Sequence, residues 1–152
     1  MEMDNEFWRH SLRLYKQPEV ERLCLSLQDE FGLDVNVVLF CHWLGVTGLA
    51  ANAKHLKDLS GQVDDWRQQV VEPLRKIRKN LKTKADVGSV REQIKLAELK
   101  AEQYQQALIW CYYTDHKDSY IETETAWYEV LLEGQDESRL QACKALLLEF
   151  PH

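Results

Sequence analysis

The chain has 152 residues, 45% of them hydrophobic and 29% charged, with a formal net charge of −6 and a pI of about 5.4. That length fits one domain with a real core, and the balance is that of a globular protein rather than a disordered or fibrous one. The acidic balance disfavours bulk binding to nucleic acid or anionic membrane, the 3 prolines and 6 glycines disfavour a turn-rich β-sandwich, and no apolar run approaches the ~20 residues of a membrane span.

In chain order, Asn5 is placed to cap a helix over residues 6–15 with Trp8, Leu12 and Tyr15 as its stripe. Pro18 suits the first turn of a second helix. Val20, Leu23, Cys24, Leu27 and Phe31 mark its buried face, and Gly32 supplies its left-handed stop. Residues 34–44, DVNVVLFCHWL, form the most apolar run, interrupted only by Asn36 and His42. A helix apolar nearly all round has no solvent face, so this one belongs at the centre of a bundle. Asp34 caps it, a carboxylate being favoured at a helix N-terminus, and Gly45 and Gly48 frame its exit.

Residues 49–59 read as a shorter helix stopped by Ser60-Gly61. A long helix over 62–82 follows, with the stripe Val63, Trp66, Val70, Leu74, Ile77, Leu81. Pro73 lies inside it, removes one backbone bond and crowds the carbonyl of Gln69, which predicts a kink. After the turn at 83–88, Ser89 and Glu92 have capping-box spacing. The helix they open runs to about His116 on the seam Val90, Ile94, Ala97, Ala101, Tyr104, Leu108, Cys111, a coiled-coil-like alternation. Ser119 and Glu122 suggest a second capping box opening a helix through Leu132, and a last helix spans residues 137–150. The short turn makes the two long helices antiparallel neighbours. That register brings Arg75 level with Glu98, and it predicts a cross-helix ion-pair cluster of Arg75, Arg78, Glu98 and Glu102.

Four cysteines, Cys24, Cys41, Cys111 and Cys143, are dispersed on apolar stripes with no CxxC pair, which reads as buried reduced thiols. The start, MEMDNEFW, lacks the basic and apolar regions of a signal peptide. Both observations lead us to expect a cytoplasmic protein.

Candidate chemistry is sparse. Glu98 and Glu102 share a helix face, as metal-binding carboxylates do in bundles, but a di-iron site also needs Glu-x-x-His on two helices. The spacing from Glu149 to His152 is broken by Pro151, so a structural ion pair is preferred and no metal or cofactor is expected. The five histidines (10, 42, 55, 116, 152) make no HxxxH or HExxH pair. His42 reads as a hydrogen-bonded core residue before a catalytic base. A buried Asn36 needs partners, and Asp29, Asn36 and His42 are candidates for one polar network, extending to a small pocket with Arg75, Arg78, Glu98 and Glu102. No nucleophilic triad or phosphate-binding glycine loop is present. The run 75-RKIRKNLKTK-84 sets Arg75, Arg78, Lys79 and Lys82 on one face. The ordinary reading is a solvated helix C-terminus, and the sharper one is an anion or RNA contact. Trp8, Trp43, Trp66 and Trp127 fall on helix stripes, which favours core packing over base stacking.

The segments 24-CLSLQDEFGLDVNVVLFCHWLG-45, 66-WRQQVVEPLRKIR-78 and 98-ELKAE-102 together resemble a family of small bacterial proteins of unknown function, found mainly in gammaproteobacteria. The resemblance covers about residues 7–102 and leaves the tail after Leu108 unassigned. It implies an all-helical cytoplasmic domain with no established activity and no catalytic residues to carry over. Its motif positions are Gln28, Asp29, Asp34, Asn36, Trp43, Trp66, Pro73, Arg75, Arg78, Glu98 and Glu102.

The expectation is a single all-α domain over residues 1–152, a bundle of about six to eight helices around a buried central one. For function, the absence of a catalytic constellation favours a non-enzymatic interaction or regulatory module. Its unknown protein partner would be met on the face of Arg75, Arg78, Lys79 and Lys82 or on the acidic C-terminal region. The alternatives are a small-molecule binder or enzyme with a pocket near Asp29, Asn36, His42 and Arg75, and an RNA- or ribosome-associated binder through the basic face. Oligomeric state is open.

Overall fold

The computed structural model describes residues 1–152. Helix α1 (Glu6–Tyr15) is capped by the Asn5 side chain, which accepts from the Trp8 N–H at 2.8 Å. Helix α2 (Pro18–Phe31) begins on its proline and ends at Gly32, where φ is 65°. Asp34 caps α3 (Val35–Val46), accepting from the Asn36 N–H at 3.0 Å. Strand β1 (Leu49–Ala50) follows, then α4 (Ala53–Trp66), a π turn (Arg67–Val71), α5 (Glu72–Leu81) and α6 (Gly88–Asp115). A 3₁₀ turn (Lys117–Ser119) leads to β2 (Ile121–Glu122), α7 (Glu129–Leu132) and α8 (Glu137–Leu148). The two strands make a small antiparallel ladder, Leu49 opposite Glu122 and Ala50 opposite Ile121. The architecture is all-α.

Helix α3 is the hub. Every residue from 36 to 44 is buried, and α1, α2 and α6 pack against it. Phe40 sits inside a ring of Phe7, Trp43, Tyr113 and Tyr120, all with centroids within 6.1 Å. Gly45 lets Trp127 close the exit of α3, because a Cβ there would lie 2.5 Å from the Trp127 Cβ. Helix α8 packs on α2, and α4 is tied to α6 by the Trp66 indole N–H donating to the Ala101 carbonyl at 2.8 Å.

Several expected boundaries move. Helix α4 runs straight through Ser60-Gly61, starting at the Asn52 cap. Its buried residues Leu56, Leu59 and Val63 continue at helical spacing, so packing outweighs the ~1 kcal/mol propensity cost of one glycine. The irregularity expected at Pro73 is taken up one turn earlier. The chain widens into the π turn, with Glu72 N–H reaching back to the Arg67 carbonyl, and a proline can follow because the carbonyl it would crowd is displaced. Neither capping box forms. Helix α6 starts at Gly88 with no side-chain cap, and Ser119 ends the 3₁₀ turn while Glu122 pairs with Leu49.

The seam of α6 is also corrected. Val90, Ala97 and Cys111 are exposed, and the buried face is instead Glu98, Ala101, Gln105, Gln106, Ala107, Ile109 and Tyr113. The first part of α6 is mostly exposed and its partner α5 buries none of its own residues, since two helices alone cannot cover an apolar stripe. Further along, α6 enters the bundle on a face rotated away from that stripe, where α1 and α3 accept its polar side chains.

Candidate functional site

Three helices present one face each to a common recess. Trp8, Ser11, Leu12 and Tyr15 of α1 and Glu21, Cys24, Leu25 and Gln28 of α2 both follow i, i+3, i+4, i+7 spacing, and Glu98, Leu99, Glu102 and Gln106 come from α6. Val35 and Asn36 at the start of α3 and Arg75 and Arg78 from α5 complete a cavity of about 300 Å³. Leu12, Tyr15, Leu25 and Leu99 are each at least 40% exposed at its mouth, whereas the deeper wall is polar and charged.

The expected ion-pair cluster forms part of that wall. Arg75 lies 3.5 Å from Glu98 and donates to Glu102 Oε1 at 3.1 Å. Arg78 grips Glu98 with a fork, through Nε and through Nη2 at 3.2 Å. Donating to Glu98 holds the Arg78 guanidinium above its ordinary range. Burial raises the Glu102 carboxyl, and Arg75 opposes that rise. Burial pushes the Cys24 thiol up to about 12 and raises the Tyr15 hydroxyl beside it. At neutral pH Cys24 is therefore a protonated thiol rather than a nucleophile.

Behind the cavity runs a ladder of buried amides. Gln105 donates to Asp34 Oδ2 at 2.7 Å, Asn36 donates to Gln105 Oε1 at 3.0 Å, Gln106 donates to Asn36 Oδ1 at 2.9 Å, and Ser11 donates to Gln106 Oε1 at 3.1 Å. Burial raises the Asp34 carboxyl, and Arg67, 3.6 Å away, opposes it. The ladder satisfies the buried Asn36 and fixes α6 against α3 and α1.

Five of the seven expected pocket residues thus meet in one place: Asn36, Arg75, Arg78, Glu98 and Glu102. Asp29 and His42 do not join them. Asp29 is exposed and 3.6 Å from Lys79, because the turn of α2 that carries it faces solvent. His42 faces a different side of α3. It donates from Nε2 to the Pro151 carbonyl at 2.7 Å, which leaves Nδ1 to accept from His10 Nε2 at 2.9 Å. Burial lowers both rings, His10 to about 4, so the pair is neutral at physiological pH. The basic face is divided as well. Arg75 and Arg78 turn inward to carboxylates, and only Lys79 and Lys82 are exposed. No group of three His, Cys, Asp or Glu side chains converges to hold a metal.

Sequence reasoning missed Gln105, Gln106, Ser11, Trp8 and Tyr15. The run Gln103-Tyr-Gln-Gln beside Ala101 and Ala107 was the available signal, since a buried Asn36 needs amide partners on a neighbouring helix.

The model of one family matches residues 6–109, a span that includes every side chain lining the cavity. The chain belongs to that family, described as protein of unknown function DUF2390. No curated protein and no solved structure matches the chain. No helix of this DUF2390 protein is long and apolar enough to cross a membrane.

Proposed function

We propose that this DUF2390 chain is a small-molecule-binding module whose ligand enters between α1, α2, α5 and α6. One observation carries the reading. The 300 Å³ recess has an apolar mouth and a polar inner wall, with two arginines and two glutamates converging from two helices. Ligand sites combine apolar walls with a few converging polar groups in this way, and the volume sits at the small end of their range. The four free cysteines support the cytoplasm as its compartment.

The test is ligand-dependent thermal stabilisation by fractions of a cell extract, repeated on variants that occlude the mouth, Leu25→Trp and Leu99→Trp. The expected result is a fraction that raises Tm in the native chain and fails to do so in both variants. No stabilising fraction, or equal stabilisation of the occluded variants, overturns the reading.

A second reading, a protein-interaction module, is favoured by Ile77, Val90, Leu96 and Leu99, apolar residues at least 43% exposed along the α5–α6 hairpin. Ile77→Lys with Leu96→Lys abolishes co-purification of a specific partner on that reading, and unchanged recovery rejects it. The RNA reading loses support, because the two arginines it relied on are neutralised by Glu98 and Glu102.

A further inference from the structure

The ligand's chemistry follows from which atoms of the cavity are already satisfied. Glu98 has both oxygens engaged, Oε1 by Arg75 and Arg78 and Oε2 by Arg78. Glu102 is different. Its Oε1 accepts from Arg75, while its Oε2 has no partner in the protein. Three carboxylates, Glu21, Glu98 and Glu102, line the recess against two guanidiniums, so the lining is one negative charge in excess. An anionic ligand would find only the Nη1 arms of Arg75 and Arg78 open, on guanidiniums that already face carboxylates, and it would meet no net positive field. A cation meets a free carboxylate oxygen and a negative balance. It also offsets the burial that raises the Glu102 carboxyl, since a nearby positive charge favours the ionised form.

A metal ion does not fit, because it needs several converging ligands and no group of three His, Cys, Asp or Glu side chains converges here. A quaternary ammonium does not fit either, because it cannot donate hydrogen bonds. A primary ammonium has three donors. One suits Glu102 Oε2, and the oxygens of Tyr15 and Gln28, which line the same recess, can accept the others.

Resting on the cavity reading above, we infer that the site takes a small primary alkylammonium compound, its cation against Glu102 and its carbon chain along Leu12, Leu25 and Leu99. The polar end enters first and the apolar chain fills the mouth, which matches the order of polar wall and apolar rim.

The experiment titrates the full chain, followed by amide and indole N–H resonances, with three probes of equal length: pentylammonium, pentanoate and pentanol. Pentylammonium is expected to shift the resonances around the recess, including the Trp8 indole, and to bind at least tenfold more tightly than pentanoate. Glu102→Gln keeps an oxygen for Arg75 and so keeps the fold, which circular dichroism verifies. In that variant pentylammonium affinity falls at least tenfold while pentanol affinity is unchanged. Glu21→Gln at the exposed rim serves as the second variant and lowers pentylammonium affinity by a factor of two to three. Equal or tighter binding of pentanoate or pentanol overturns the ammonium assignment and leaves the cavity reading standing. Silence of the recess towards all three probes overturns both.

Discussion

Removing the Arg78 side chain tests the polar wall of the cavity as a structural element. The Glu98 side chain is 9% exposed, and its partners Arg75 and Arg78 are 15% and 22% exposed. Arg78→Met keeps the aliphatic stem but takes away both arms of the fork, leaving Glu98 with Arg75 Nε at 3.5 Å. Breaking a buried ion pair on one side costs roughly 3–5 kcal/mol, because the remaining charge is uncompensated. Arg75 remains and Arg78 is partly solvated, so the loss falls to about 2–3 kcal/mol. For a domain of this size that lowers Tm by roughly 4–12 °C. The double change Arg78→Met with Glu98→Leu removes both charges and recovers most of the loss, since apolar replacement of a buried pair is often neutral. Urea denaturation of the native chain, both single variants and the double variant, followed by circular dichroism, gives the coupling energy. A loss below 1 kcal/mol for Arg78→Met, or a coupling indistinguishable from zero, would refute the account of this wall.

The remaining predictions concern the scaffold. Burial lowers His10 from 6.5 to about 4, so between those values the unfolded chain binds the extra proton and stability falls as the pH is lowered. From pH 7.5 to 5 this one ring loses about 2 kcal/mol of stability; His10→Gln flattens the urea-midpoint profile by that amount, and identical profiles for the two proteins reject the neutral pair. Gly45→Ala drives a Cβ to within 2.5 Å of the Trp127 Cβ and costs about 1–3 kcal/mol; Trp127→Gly removes that opposing Cβ, so the cost of Gly45→Ala shrinks in its background, and an undiminished cost there would contradict the close approach. Asn36→Leu strands Gln105 and Gln106, buried groups that each bond to it, and costs about 2–4 kcal/mol by chemical denaturation; a neutral effect would mean that the amide ladder does not hold α6 in place.

Local signals settled most of the helices. Asn5, Pro18, Gly32 and Asp34 each supply a cap, a fixed φ or a left-handed stop that acts within a few residues, and α1, α2 and α3 fall where those signals put them. The apolar run at 34–44, interrupted only by Asn36 and His42, determined that α3 is the hub, because a helix without a polar side can only be surrounded. The pairing of Arg75 and Arg78 with Glu98 and Glu102 was equally legible, since a short turn fixes the register of two antiparallel helices.

The tertiary structure decided the rest. Which face of α6 turns inward depends on where α1 and α3 stop covering it, so Val90, Ala97 and Cys111 stay in solvent while Gln105 and Gln106 are buried. Ser119 and Glu122 have capping spacing, but Ser119 ends a 3₁₀ turn and Glu122 is taken by the ladder with Leu49, a partner 73 positions away that no local pattern reveals. His42 and Asn36 lie on one apolar helix, yet they face different sides of it and serve different networks. Caps, stops and periodicity are properties of neighbouring residues and can be read along the chain. A cavity is the space left between helices, and its existence and lining are set only when four of them are in place.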